Sequence, residues 1–229
     1  MKKTFLLLIL STFSLSLLSQ NLSVPSFGMK VGSNYSNLNF SQYNYMFFGL
    51  LEATEGYAKP STSSNIGVKG GVFLDIKIGA KWYISPTISY SQFGASTKLN
   101  RTFDVDTIRT YGEETREYKM DYVSLDPNFE YRVNDVFTLI AGPSISYLIS
   151  NNLEKIVTNI PQGQNEDYNG EIEGVSEIDA GINIGTSFFI TKDLDVDLSI
   201  YIGIIDLENI EDGYNRFNQS TNLSIGYQF

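Results

Sequence analysis

The stretch NRFNQSTNLSIGYQF, residues 215–229, decides the fold. Thr221, Leu223, Ile225, Tyr227 and Phe229 share one parity, and Asn222, Ser224, Gly226 and Gln228 share the other. Side chains alternate faces along a strand, so this segment reads as a strand with one apolar and one polar face. A last strand of this pattern, ending on an aromatic ring, has the form of the closing strand of an outer-membrane barrel, with apolar residues outside and polar residues inside.

Working outward, the same alternation recurs seven times, at Phe27–Ser36, Ile66–Ile78, Trp82–Phe93, Tyr118–Val133, Val136–Ile149, Glu177–Ile190 and Leu194–Ile204. Between these strands lie long connections at Asn37–Ser64, Ala95–Glu117 and Ser150–Gly174, and a shorter acidic one at Asp206–Tyr214. They alternate with tight turns at Gly79–Lys81, Asn134–Asp135 and Thr191–Asp193. An even strand count, with tight turns at one rim and long loops at the other, predicts an all-β fold. It is an eight-stranded antiparallel up-and-down transmembrane β-barrel with short periplasmic turns and long extracellular loops. Pro86, Pro127 and Pro143 fall inside strands; each removes a ladder donor and predicts a bulge or a missing hydrogen bond.

Alternation does not say which face is wet, since an eight-stranded soluble barrel of the lipocalin type is apolar inside. The distribution of charge answers this. The polar face carries Lys30, Lys69, Asp75, Lys77, Asp126, Glu130, Arg132, Asp179, Asp195 and Asp197, and the apolar face essentially none. Such groups do not line a greasy pocket without a large desolvation cost. Apolar-face aromatics also gather at strand ends. Phe27, Trp82, Phe137, Phe188, Tyr227 and Phe229 lie near the short turns, and Tyr35, Tyr90 and Tyr147 near the long loops. From Phe137 to Tyr147 a tilted strand rises roughly 23 Å, close to the ~25 Å apolar band between aromatic girdles.

Lys2 and Lys3 precede the apolar run Phe5–Leu10, which fades through Ser11, Thr12, Ser14 and Ser16. This reads as a signal peptide over residues 1–19, cut after Ser19, followed by one barrel domain over residues 20–229. The run lacks the ~20 apolar residues of a membrane-spanning helix. Export leads to the periplasm, the outer membrane or beyond, and with the barrel pattern the expected location is the cell outer membrane.

Composition narrows the chemistry. The 229 residues include no Cys and no His, so disulfides, thiolate metal sites and the commonest general base are absent. No catalytic, cofactor-binding or metal-ligating set emerges, and the chain reads as a non-enzyme without cofactors. A net charge of -10 speaks against nucleic acid. The interior charges read either as a selective pore or as a side-chain plug; an eight-stranded barrel is only just wide enough for its own side chains, which favours the plug. Glu154, Glu166, Asp167, Glu171, Glu173, Asp206, Glu208, Glu211 and Asp212 crowd the long connections. Solvated rim charge, bridged to lipopolysaccharide through divalent ions, competes with a calcium loop whose spacing matches no EF-hand. The first loop carries Phe40, Tyr43, Tyr45, Met46, Phe47, Phe48, Leu50 and Leu51, an apolar surface for a protein partner or for packing over the rim.

Several motifs resemble the PorT-like outer-membrane β-barrel proteins of the Bacteroidetes. These are Gly28-Met29-Lys30-Val31-Gly32-Ser33-Asn34-Tyr35-Ser36, Gly70-Gly71-Val72-Phe73, Pro86 through Tyr90-Ser91-Gln92-Phe93-Gly94, Gly142-Pro143, Gly181 to Gly185, and Tyr227-Gln228-Phe229. Asp126 before Pro127 departs from that pattern, which leads one to expect an apolar residue there; the register holds only if Asp126 faces the lumen. The resemblance implies an eight-stranded barrel in contact with outer-membrane lipid and lipopolysaccharide. It implies that the barrel-assembly machinery reads Tyr227 and Phe229. It does not imply one job, since the family includes a component of the type IX secretion and gliding apparatus. Three readings of the function follow: a plugged barrel that serves the envelope or binds partners through its loops, an accessory of such a machine, or a small porin-like pore.

Overall fold

The computed structural model describes residues 24–42, 61–105, 108–158, 166–171, 174–207 and 214–229. Nine strands follow in chain order: β1 Ser26–Gln42, β2 Ser61–Lys77, β3 Trp82–Val105, β4 Ile108–Arg132, β5 Phe137–Thr158, β6 Glu166–Gly170, β7 Ile178–Phe189, β8 Leu194–Gly203 and β9 Tyr214–Gln228. All pairings are antiparallel. The order β4-β3-β2-β1-β9-β8-β7-β5, with a further β4–β5 pairing, closes a ring of eight, and β6 rides on β5 outside it. The fold is the expected eight-stranded barrel.

β9 closes the ring. It pairs with β1 from Gly28↔Gln228 to Gln42↔Tyr214 and with β8 from Leu194↔Tyr227 to Ile202↔Gln219. Its faces are those of the sequence pattern, with Leu223, Ile225, Tyr227 and Phe229 exposed on the outside and Asn218, Ser220 and Asn222 buried inside. β5 alternates in the same way, with Leu139, Ile145 and Tyr147 out and Thr138, Ser144 and Ser146 in. The exposed face is the greasy one, which is the arrangement of a membrane barrel and the inverse of a soluble one. Asp126 is buried inside at 3% exposure, so the fourth strand runs in the expected register.

Two of the expected long loops are largely strand. Ala95–Glu117 forms the distal part of a hairpin, in which β3 and β4 stay in register to Val105↔Ile108. Ser150–Gly174 contains the end of β5, paired to β4 as far as Glu113↔Thr158, and β6, paired to Leu153–Val157. Alternation reports which face meets lipid, and beyond the membrane that contrast disappears while backbone pairing continues. The leader at residues 1–19 and its cut, the first-loop residues Tyr43–Leu51, and Glu173, Glu208, Glu211 and Asp212 lie outside the described residues.

The tight turns are where the sequence puts them. The amide of Ile78 donates to the carbonyl of Trp82 at 2.9 Å, Val133 to Phe137 at 3.0 Å and Ile190 to Leu194 at 2.8 Å. Asn134 Oδ1 accepts from the amides of Val136 and Phe137, and Thr191 Oγ1 from those of Asp193 and Leu194, the turn chemistry of short polar side chains. At the prolines the registers stay constant and pairing lapses. The β2–β3 ladder skips from Phe73↔Thr87 to Ile76↔Ile84, opposite Pro86. The β4–β5 ladder skips from Leu125↔Ile145 to Phe129↔Ala141, across Pro127 and Pro143. The register shifts fall elsewhere, between Ser64 and Lys69 and between Asp121 and Tyr122.

Candidate functional site

The barrel interior gathers most of the singled-out charges, and does so in layers. Nearest the short turns, the Arg132 guanidinium donates to Asp75 Oδ2 and stacks 3.7 Å over the Tyr83 ring. Gln228 Nε2 donates to the same carboxylate at 3.3 Å. Ser187 Oγ donates to Asp195 Oδ2 at 2.9 Å. Glu130 is buried beside them and borders a void of about 10 Å³ that also touches Lys30, Asp75 and Asp195.

One layer up, Lys30 Nζ donates to Asp197 Oδ2 at 2.5 Å, lies 4.0 Å from Asp195 Oδ2 and sits 4.8 Å over the Phe73 ring. Gly28 makes room for that ring: a Cβ there would stand 2.4 Å from Phe73 Cζ. Lys69 Nζ faces Asp126 Oδ2 at 4.0 Å, and Ser89 Oγ donates to the same oxygen at 3.3 Å. Buried charges persist in this way when opposite charges and hydrogen-bond donors surround them.

Three expected members stand apart from the ion pairs: Glu130 beside the lower void, Lys77 and Asp179. Lys77 is exposed at the end of β2, its Nζ 6.0 Å from the Tyr83 ring, and it makes no ion pair among the described residues. It stands at the mouth, where its flexible stem keeps the ammonium in water. Asp179 is almost wholly buried but takes an amide in place of a cation, accepting from Asn218 Nδ2 at 2.9 Å.

Above these layers the interior turns apolar. Leu38, Phe93, Ala95, Tyr118, Met120, Tyr122, Leu148, Tyr201 and Leu207 form one buried cluster. The Phe93 ring meets Tyr122 at 5.6 Å and Tyr201 at 5.7 Å, both edge to face. Gly181 lies against Tyr201, where a Cβ would be 2.5 Å from ring atom Cε2. Of these, sequence reading placed only Tyr122 inside. The signal was parity: Phe93 continues the face of Ser89 and Ser91, and Tyr201 that of Asp197 and Ser199. Arg216, also buried inside, was missed too.

Between the ion pairs and this cluster, Lys30, Lys69, Asp126, Asn128, Asn183 and Asp197 are among the residues that line a cavity of about 60 Å³. That holds a few water molecules, each needing at least ~10–15 Å³ by the same measure. It is not a continuous aqueous channel.

Outside, aromatic rings band the short-turn end. Phe27 stacks on Phe229 at 5.0 Å, Tyr227 meets Phe229 at 5.1 Å, Trp82 meets Tyr131 at 4.8 Å and Phe137 meets Phe188 at 5.1 Å. Tyr35 and Tyr147 are exposed, and Tyr90 half-buried, at the other end, where the Tyr147 hydroxyl donates to Glu177 Oε2 at 3.3 Å. Higher still, in the extended hairpin, Glu114 is fully buried, with Arg116 Nε at 2.5 Å and Lys155 Nζ at 4.0 Å. Burial lowers the Arg116 pKa, but hydrogen bonds and charge from Tyr118 and Glu114 outweigh it and leave the value raised. Of the acidic loop residues, Glu154 and Asp206 are half-buried, and Asp167 and Glu171 are exposed. Among the described residues no group of His, Cys, Asp or Glu is placed to hold a metal ion.

The profile of a family described as "Outer membrane protein beta-barrel domain" matches residues 19–209. Solved structures with similar shape include Ail, the attachment invasion locus protein of Yersinia pestis (12% identity, 89% of this chain, 98% of that one, TM-score 0.39). Neisserial surface protein A is comparable (11%, 92% and 100%, 0.39), as is the outer membrane protease OmpT from Escherichia coli (10%, 90% and 96%, 0.39). These likenesses are too loose to transfer a residue or a role. The chain matches no curated protein sequence.

Proposed function

We propose that this chain, which belongs to the outer membrane protein beta-barrel domain family, is a plugged barrel of the outer membrane that works through its outward-projecting strands and loops rather than through its lumen. The observation that carries this reading is the filled interior: among the described residues, ion pairs, amides and aromatic rings pack the lumen, and the two cavities between them measure about 60 and 10 Å³. An eight-stranded ring supports such filling, being only as wide as its own side chains. In planar bilayers the purified wild-type chain is expected to be electrically silent; stable, large openings would sink the plug and favour the porin-like reading.

The envelope supplies its partners: membrane lipid against the apolar band, lipopolysaccharide against the acidic rim through divalent ions, and the assembly machinery at Tyr227 and Phe229. A protein partner at the long connections is the fourth. The absence of His and Cys supports a non-catalytic role, and the acidic net charge supports no traffic with nucleic acid. The Gly28–Ser36 motif of β1 supports the narrower PorT-like placement, and with it an accessory role in a secretion or gliding machine. Co-purification from detergent-solubilised outer membrane separates the two roles: a stoichiometric machine component supports the accessory reading, and isolation of the barrel alone counts against it.

A further inference from the structure

The interior is filled at two levels, by ion pairs and by rings, and the two differ in what they span. Lys30–Asp197 joins β1 to β8, Arg132–Asp75 joins β4 to β2, and Lys69–Asp126 joins β2 to β4. In the ring order each of these links strands two positions apart, so each is a chord along the wall. Phe93 on β3 and Tyr201 on β8 stand four positions apart by either route, on opposite walls, and their rings meet at 5.7 Å. Tyr122 on β4 lies against Phe93 and accepts from Asn218 Nδ2, on the facing β9, at 3.4 Å. Rings therefore cross the full bore. Met120, Leu148 and Leu207 fill in around them.

We infer that this aromatic septum is the seal of the lumen, and that the compartment beneath it is a cation-selective path kept dry at one level. Apolar constrictions block ions by excluding water. Beneath the septum the buried carboxylates Asp75, Asp126, Glu130, Asp195 and Asp197 outnumber the cations Lys30, Lys69 and Arg132. Rings of carboxylates select cations. Several buried oxygens there, including Asp75 Oδ1, Asp126 Oδ1 and Asp197 Oδ1, have no hydrogen-bond partner among the described residues. They are acceptors that water or a monovalent cation satisfies once the path is wet.

This inference rests on the plugged reading, and one set of recordings tests both. The full chain is refolded in detergent, its fold checked by the heat-dependent gel shift of an intact barrel, and its current recorded in planar bilayers under a potassium chloride gradient. Phe93→Ala/Tyr201→Ala is expected to give discrete openings that the wild type lacks, with a reversal potential shifted toward the potassium equilibrium value. If that variant does not fold, Tyr201→Val alone, which keeps a good strand residue but removes the ring that spans the bore, gives smaller openings of the same sign. Silence from a folded septum variant, a shift toward the chloride value, or openings from Asp197→Asn with the septum intact overturns the septum alone. Openings from the wild type overturn the plugged reading and the septum with it.

Discussion

Lys30 shows how a single residue here is held from several sides at once. Its ammonium meets Asp197 and Asp195 and caps the Phe73 ring, all within a wall of serines and amides. Removing one partner of such a buried pair leaves the other charge uncompensated, which costs about 3–5 kcal/mol. Lys30→Met is therefore expected to lower the urea midpoint of the refolded barrel, and Lys30→Met/Asp197→Leu to recover part of the loss. A double variant no better than the single would mean that the carboxylate is not stranded. The outer face obeys the opposite rule. Ile184 lies mid-band, exposed and paired with Ala141 and Ile200. Ile184→Arg should cost about 2–4 kcal/mol in lipid vesicles, the price of a cation at the bilayer midplane, and far less in detergent.

At the scale of elements, the membrane segments were legible because lipid enforces the alternation that reveals them. The eight strands, the tight turns and the burial of Asp126 all follow from parity. The distal hairpin of β3 and β4 was not legible, because runs such as Lys98 to Val105 pair in water with no face to declare. Parity also holds the clue to the septum, but charge is what marks the interior in the sequence, and neither Phe93 nor Tyr201 carries any. The hairpin lies above every layer of the interior. Replacing residues 99–112 by a short turn is therefore expected to leave the barrel's heat-dependent gel shift intact; its loss would show that folding needs the hairpin. β9 is more demanding. The Phe229 amide donates to the Phe27 carbonyl at 2.8 Å and its ring touches both Phe27 and Tyr227. Phe229→Ala forfeits two aromatic contacts of about 0.5–1.5 kcal/mol each. It should reduce the amount of folded barrel recovered from outer membrane, and unchanged recovery would remove Phe229 from any assembly role.

For the whole molecule, the described strands end at very different heights. β3, β4 and β5 run for 24, 25 and 22 residues, while β7 and β8 stop after 12 and 10. The tall strands are neighbours in the ring and so are the short ones. Among the described residues the mouth is thus shaped like a bandshell, with a paired back wall that β6 continues above β7 and a low front over β8. A rotating barrel of this shape has a heading in the plane of the membrane. A neighbour diffusing laterally at the cell surface meets either the wall or the opening according to that heading. Cross-linking from sites on the two sides should therefore capture different neighbours at the same distance from the membrane.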